Sequence, residues 1–545
     1  MNVNGGQLLV KGLEQLGASR VYCVPGESYL PVLDALYDSN MATTVCRQEG
    51  GASMMAEAHG KLHGQPGLCF VTRGPGATNA LSGFHVAAQD STPLILFIGQ
   101  VSASQRYREG FQEIDYGQLL GGMAKWVAQI DHVERIPELL SRAWHTACSG
   151  RPGPVAIVLP EDTLTATCDN SDTLAWQPEN EYVAVQTTTK IEEQLSNATN
   201  PIAILGGSGW SAIAVKQFTK FAERLALPVA CSFRRQMLFD HTHPNYVGDV
   251  GIGINPKLVQ LIEQADTVLL VGGRLSEIPS QNFTLLDIPS PKQSLIHIYP
   301  GAEELNRVYK ADIAVQATPA AFCRSLTATA ALKSASEKKL QLLAHASRNY
   351  KQWSSLDNCI DEVELMKQVM MYLKKHLPED VIITNGAGNY SSWIHRFWQY
   401  KHYGTQVSST SGSMGYGLPA AISAKINHPD KTVVAFAGDG CFQMTCQELA
   451  TAMQEKAAII ILVLDNGMYG TIRMHQEKHY PSRVIATSIV NPNFAQLAGS
   501  YGAYSATIET PEDIAAAIKG AISSETAALI HIKLDPSAIT PTEAL

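Results

Sequence analysis

Short aliphatic runs, each followed by a longer stretch of helical periodicity, recur along this chain and constrain its fold more than any other feature. The runs 68–72, 94–98, 155–159, 202–205, 267–271, 433–437 and 459–464 are mostly β-branched or aliphatic and end near Gly, Pro or Asp. Segments of that length and composition read as buried strands rather than helix fragments. Between them lie amphipathic stretches such as 137–148 and 511–519, the second opening on Pro and acidic residues and stopping at Gly520. The alternation predicts an α/β chain of doubly wound parallel-sheet domains.

With 545 residues, the chain is too long for one core, and typical domain sizes suggest about three or four domains. Two polar segments look like joints: 168–186, rich in Asp, Asn, Thr and Glu, and 334–361, which is helical in character. They divide the chain into units 1–180, 187–340 and 360–545. The first and third share a theme of strand, Gly-rich turn and helix, which makes internal duplication conceivable.

Charged residues make up only 17% of the chain, against a usual quarter, so extensive subunit contacts are expected. The net charge of −9 is modest, and Arg234-Arg235 is one of few places where basic residues adjoin. Neither nucleic acid nor an anionic membrane is expected as a partner. The ten cysteines are scattered without a CxxC pair and several lie in apolar runs, as in a reducing, cytoplasmic setting. The N-terminus shows no secretory pattern. The longest apolar runs, about eight residues, fall far short of the ~20 that span a bilayer.

The segment from Val433 to Gly467 carries the most specific chemistry. One apolar strand delivers Gly438-Asp439-Gly440 at its carboxyl end, and a second delivers Asn466 after 25 intervening residues (441 to 465). The stretch 441–456, with Phe442, Leu449 and Met453, is expected to form the crossover helix. That unit would bring Asp439 and Asn466 together at the carboxyl edge of one sheet, where α/β proteins bind ligands. Magnesium takes six oxygens, through a few protein ligands plus phosphate. Asp439, Asn466, a backbone carbonyl near Met468, two diphosphate oxygens and a water would supply them. The flanking glycines let backbone N–H groups approach the diphosphate.

With this spacing the chain resembles the thiamine-diphosphate enzyme superfamily, and within it the acetolactate synthase branch. The likeness runs past the signature, through Gly438-Asp-Gly-Cys-Phe-Gln-Met-Thr-Cys-Gln-Glu-Leu449 and Asp465-Asn-Gly-Met-Tyr-Gly-Thr-Ile-Arg473. It covers essentially the whole chain, in the order pyrimidine-binding, central and diphosphate-binding domains. Thiamine diphosphate and Mg²⁺ are the implied cofactors, with Gly438, Gly440 and Cys441 at the diphosphate. Arg47-Gln48-Glu49-Gly50-Gly51-Ala52 is similar to the family's RHEQGA segment. Glu49 is thereby the implied partner of the cofactor's pyrimidine nitrogen, the proton switch that activates the thiazolium carbon. Read alone, Glu49 would be an exposed loop carboxylate. Gln48 replaces the family's histidine, whose role does not carry over.

Ser411-Gly412-Ser413-Met414-Gly415-Tyr416-Gly417 is similar to the segment that bends the cofactor, with Met414 as the wedge and the Gly412 carbonyl as acceptor. Asn389 and Tyr390 stand where the synthases carry Gln and His against the diphosphate. Thr72-Arg-Gly-Pro-Gly-Ala-Thr-Asn79 is similar to the SGPGATN loop, which brings in Asn79, with Arg73 in place of Ser. Gln100, and Phe111-Gln112-Glu113, match segments lining the substrate pocket, and Gln112 is a candidate catalytic residue.

The likeness implies a carboligase that decarboxylates pyruvate or a similar 2-oxo acid and joins the remainder to an acceptor carbonyl. Three departures bear on this. Glu27 replaces a small residue and sits where decarboxylases use an acid for proton transfer; capping the next helix is its plainer role. His475 stands where biosynthetic synthases have a Trp that selects larger acceptors, and is otherwise a satisfied pocket histidine. Gly206-Gly207-Ser208-Gly209 and Phe233-Arg-Arg-Gln-Met237 do not follow the flavin-contacting pattern, so FAD is not expected. A decarboxylase or lyase of another 2-oxo or 2-hydroxy acid, and a catalytically idle homologue, are the alternatives. Because the family's sites lie between subunits, a homodimer or homotetramer is expected, acting on small 2-oxo acids or aldehydes.

Overall fold

The computed structural model of the protein describes residues 2–169, 172–177, 181–326 and 335–544. Its framework is three six-stranded sheets, each with parallel strands throughout. The first runs Ala42–Val45, Arg20–Cys23, Gly67–Val71, Leu94–Gln100, Pro154–Pro160, Trp126–Gln129 from edge to edge. The third runs Gln406–Ser408, Ile382–Asn385, Val433–Gly438, Ile460–Asp465, Ala528–Lys533, Tyr504–Ile508. Numbered by chain order within each sheet, both read 2-1-3-4-6-5. The central sheet, from Tyr246–Val250 at one edge to Ile313–Gln316 at the other, reads 3-2-1-4-5-6, the order of dinucleotide-binding folds.

Every strand read from the sequence is present. Alternation within each run explains why: in Gly67–Val71, Leu68 and Phe70 enter one core while Cys69 and Val71 enter another. Ala435 and Ala437 of the third sheet share the second of these cores with Cys69 and Val71, so the first and third sheets are joined by one apolar layer. Helix Glu49–His63 packs there against helix Gly417–Asn427.

Two helix expectations are corrected. The 441–456 stretch is not one helix: Asp439–Gln443 ends, a 3₁₀ turn Cys446–Glu448 intervenes, and Leu449–Gln454 resumes. The break is tertiary. Thr445 Oγ1 donates to the Gly415 carbonyl at 2.7 Å, and buried Glu448 accepts from the backbone N–H groups of Arg47 and Gln48 at 3.0–3.3 Å. Gly520 does not stop the last helix, which runs Asp513–Ile522. A Cβ at Gly520 would lie 2.0 Å from the Tyr504 hydroxyl, so glycine there permits close helix–strand packing.

A buried ionic junction ties the units together. Lys61 Nζ pairs with Asp90 at 2.5 Å and Glu57 at 3.1 Å, and donates to the Ser408 carbonyl at 2.9 Å. Asp90 Oδ1 accepts from the Thr410 backbone N–H (2.8 Å) and hydroxyl (2.6 Å). Arg234, from the central unit, donates to the Ser409 carbonyl. The first and central units therefore both grip the segment of the third that leads into Gly412 and Met414. All ten cysteines are free.

Candidate active site

At the carboxyl edge of the third sheet, a cavity of about 470 Å³ collects residues that are far apart in the chain. Gly438, Asp439, Gly440 and Cys441 reach it from the end of Val433–Gly438, and Asn466 and Met468 from the end of Ile460–Asp465. Asn389 and Tyr390 enter from the turn after Ile382–Asn385, and Gly412 and Met414 from the loop after Gln406–Ser408. Four neighbouring strand ends thus converge, as parallel topology requires of a ligand crevice.

Asp439 is buried, at 3% exposure, and opens the short helix Asp439–Gln443. Its Oδ1 accepts from Gly440 N (2.8 Å), and its Oδ2 from Gly467 N (2.9 Å) and Asn491 Nδ2 (2.7 Å). Because Gly467 follows Asn466, that bond fixes the two signature residues side by side. Burial pushes the Asp439 carboxyl up to about 6, and the neighbouring Asp465 charge adds to this. For Asp465, burial works upward too. Bonds from His531 Nε2, Lys533 Nζ and Asn491 Nδ2, each 2.7 Å, outweigh it and hold the group below the usual carboxylate range.

Asp439, Asn466 and Met468 line this one cavity, and a carboxylate, an amide oxygen and a backbone carbonyl are donors that could hold a hard cation that also takes phosphate oxygens. The Met468 carbonyl accepts only from Gly470 N (2.9 Å) among the described residues, leaving a lone pair. Glycine is required beside it: a Cβ at Gly440 would lie 2.6 Å from the Tyr469 ring. Cys441 Sγ accepts from the Tyr390 hydroxyl and the Gly415 N–H, both at 3.2 Å, locking the loop at 412–415 to the turn at 438–440. Asn389 exchanges bonds with Thr471 and donates to the Ile539 carbonyl at 3.2 Å, so it helps to build the cavity wall.

The N-terminal candidates gather elsewhere. Glu49 begins helix Glu49–His63, whose N-cap Gln48 accepts from Gly51 N, and its Oε2 accepts from Asn79 Nδ2 at 2.9 Å. Phe111, 75% exposed, lies 6.0 Å from the Arg73 guanidinium. Gln112, at φ 63°, sits against Gly74. Gln100 is buried, its amide donating to the Ile114 carbonyl (2.9 Å) and accepting from Val101 N (3.0 Å). Glu27 is exposed and its side chain caps no helix, so the capping role does not hold. His475 is exposed on helix Gly470–His479, 6.0 Å from the His479 ring, and is not a satisfied pocket histidine in the single chain. Among the described residues, none of the first unit lines the third sheet's cavity.

Sequence reasoning missed Asn491, whose amide bridges Asp439 and Asp465. Only its place in Asn491-Pro492-Asn493, just before a helix, hinted at anything, and there Asn493 is the cap.

Comparison with known proteins bears on the whole chain. Residues 3–119 match the thiamine pyrophosphate enzyme N-terminal TPP binding domain, 188–326 the central domain and 386–532 the C-terminal TPP binding domain. The large subunit of acetolactate synthase isozyme 2 from Escherichia coli is 30% identical, over 98% of this chain and 96% of its own length. The Lactococcus lactis acetolactate synthase large subunit is 30% identical over 98% and 93%. The mitochondrial catalytic subunit of Saccharomyces cerevisiae is 26% identical over 98% and 81%. With three matched domains and a converging strand-end site, this chain belongs to the thiamine pyrophosphate enzymes and is an enzyme of the acetolactate synthase type.

Proposed function

We propose that the protein is a Mg²⁺- and thiamine-diphosphate-dependent carboligase that decarboxylates pyruvate or a similar 2-oxo acid and transfers the remainder to an acceptor carbonyl. The observation that carries this reading is the convergence of Asp439, Asn466, Met468, Gly412 and Met414 on one cavity. When bound, thiamine diphosphate supplies a nucleophilic carbon that also stabilises charge after decarboxylation. Asp439, Asn466 and the Met468 carbonyl would hold the cation. The N–H groups at the start of helix Asp439–Gln443 would face the diphosphate, and Met414 would bend the cofactor. Glu49 would hold a proton at the pyrimidine nitrogen.

Since Glu49 lies outside that cavity within one chain, the reading calls for Glu49 of a second copy, hence a homodimer or a homotetramer built as a dimer of dimers. Gln112 and Phe111, on the same face of the first unit, would then meet the substrate, with His475 contributed from the third unit. A tightly bound FAD is not part of the proposal. The cleft beside Gly272 and Gly273, lined by Arg235 and Arg274 among others, measures about 330 Å³, at the small end of pockets for drug-sized ligands. A visible absorption spectrum of purified protein tests this, flavin bands contradicting it.

Supplied with pyruvate, Mg²⁺ and thiamine diphosphate, the protein is expected to release acetolactate. Acetaldehyde alone would establish the decarboxylase alternative, which the uncommitted carboxylate of Glu27 favours. No turnover with any 2-oxo acid would establish an idle homologue.

A further inference from the structure

Asp439 and Asp465 lie next to each other, yet their oxygens are spent very differently. Asp465 accepts from Gly467 N (3.1 Å) and Asn491 on Oδ1, and from His531 and Lys533 on Oδ2. Four donors fill the roughly four lone-pair positions a carboxylate offers. Asp439 accepts three: Gly467 N and Asn491 on Oδ2, and Gly440 N on Oδ1. One acceptor position remains, and it is on Oδ1. The amide that closes Oδ2 belongs to Asn491, whose two N–H bonds reach one oxygen of each carboxylate at 2.7 Å. Its own oxygen accepts from Gln443 Nε2 at 2.8 Å. The opposite amide orientation would set an oxygen against two carboxylates, so the polarity is fixed by electrostatics. Asn491 is far from Asp439 in sequence, and its loop is held to the metal turn through Tyr469 N to Thr487 O (2.8 Å) and Ile489 N to Gly467 O (3.0 Å).

We infer that Asn491 is a positioning residue for the cation: by occupying Asp439 Oδ2 and tying it to the saturated Asp465, it leaves Oδ1 as the single ligating oxygen. Mg²⁺ demands a compact octahedron, whereas Ca²⁺ accepts bidentate carboxylates and irregular shells. Asn491 therefore favours Mg²⁺ over Ca²⁺. The inference rests on the cofactor reading above.

Its test is calorimetric titration of Mg²⁺ and of Ca²⁺ into full-length protein with thiamine diphosphate, for wild type, Asn491→Ala and Gln443→Ala. Asn491→Ala should bind Mg²⁺ about 10–100-fold more weakly, the usual cost of losing such a supporting bond, with Ca²⁺ affected less. Gln443→Ala, an exposed site that leaves the fold intact, should shift the Mg²⁺/Ca²⁺ ratio in the same direction by a smaller factor. Unchanged Mg²⁺ affinity in both variants, or an equal loss for both ions, overturns the inference. A wild type that takes up thiamine diphosphate with neither ion overturns the metal reading and this inference with it.

Discussion

The first and third sheets share one strand order and one pairing of helices, yet their carboxyl edges carry opposite chemistry. After its second strand in chain order, the first sheet presents Glu49 at a helix start; the third presents Gly412 and Met414 before Gly417–Asn427. After the third strand, one has Arg73-Gly74-Pro75-Gly76 and the other Gly438-Asp439-Gly440. At the end of the fourth, one has Gln100, tied to the Ile114 carbonyl and the Val101 N–H, and the other Asn466, lining a cavity. One strand order thus yields two equivalent edges, and under the proposed function their loops divide them into a cation-holding edge and a proton-holding edge. The helices Glu49–His63 and Gly417–Asn427, packed on each other, occupy equivalent places in the two halves.

Breaking the proton-holding edge should have the largest effect. Glu49→Gln should lower kcat by about 10²–10⁴, the range for loss of a general acid–base group. Mg²⁺ and cofactor affinity, followed by calorimetry, should stay near wild type; a parallel collapse of affinity would mean that the edges do not divide their work. Next comes the junction between the halves. Asp90→Asn leaves Lys61 with Glu57 as its remaining buried carboxylate and should cost about 2–3 kcal/mol in denaturant unfolding, the range for weakening a buried bond to a charged group. The comparison sharpens further with pH. In the proposed site the cation would require ionised Asp439, whose carboxyl burial pushes up to about 6. Apparent Mg²⁺ affinity should be flat above that pH and fall about tenfold per unit below it. Glu49→Gln should leave the profile in place. The smallest effect is expected from Thr410→Val, which removes one of two bonds to Asp90 and should cost about 1 kcal/mol by the same unfolding assay.

Much of this was legible beforehand because buried parallel strands are continuous apolar runs and the metal signature sits on two of them. Gly438, Asp439, Asn466 and Met468 were readable from spacing, since a strand–helix–strand crossover leaves few places for its ends. What failed to show was set by contacts distant in sequence. The broken 441–456 helix depends on Gly415 and on the Arg47–Gln48 backbone. The interior Gly520 depends on the Tyr504 ring. Asn491 has no local pattern, because its partners lie 26 and 52 residues away. Glu49 was legible only through its surrounding segment. A single carboxylate has no periodicity, and within one chain Glu49 is not among the residues that line the third sheet's cavity.

Co-expression of Glu49→Gln with Asp439→Asn tests the division between edges most directly. If each site pairs the first unit of one copy with the third unit of another, a mixed dimer holds one doubly damaged site and one intact site. Statistical mixing should then restore about a quarter of wild-type turnover from two inactive parents. Purified mixed dimers with no more turnover than the parents would mean that both residues serve the same chain, and would contradict a site shared between copies.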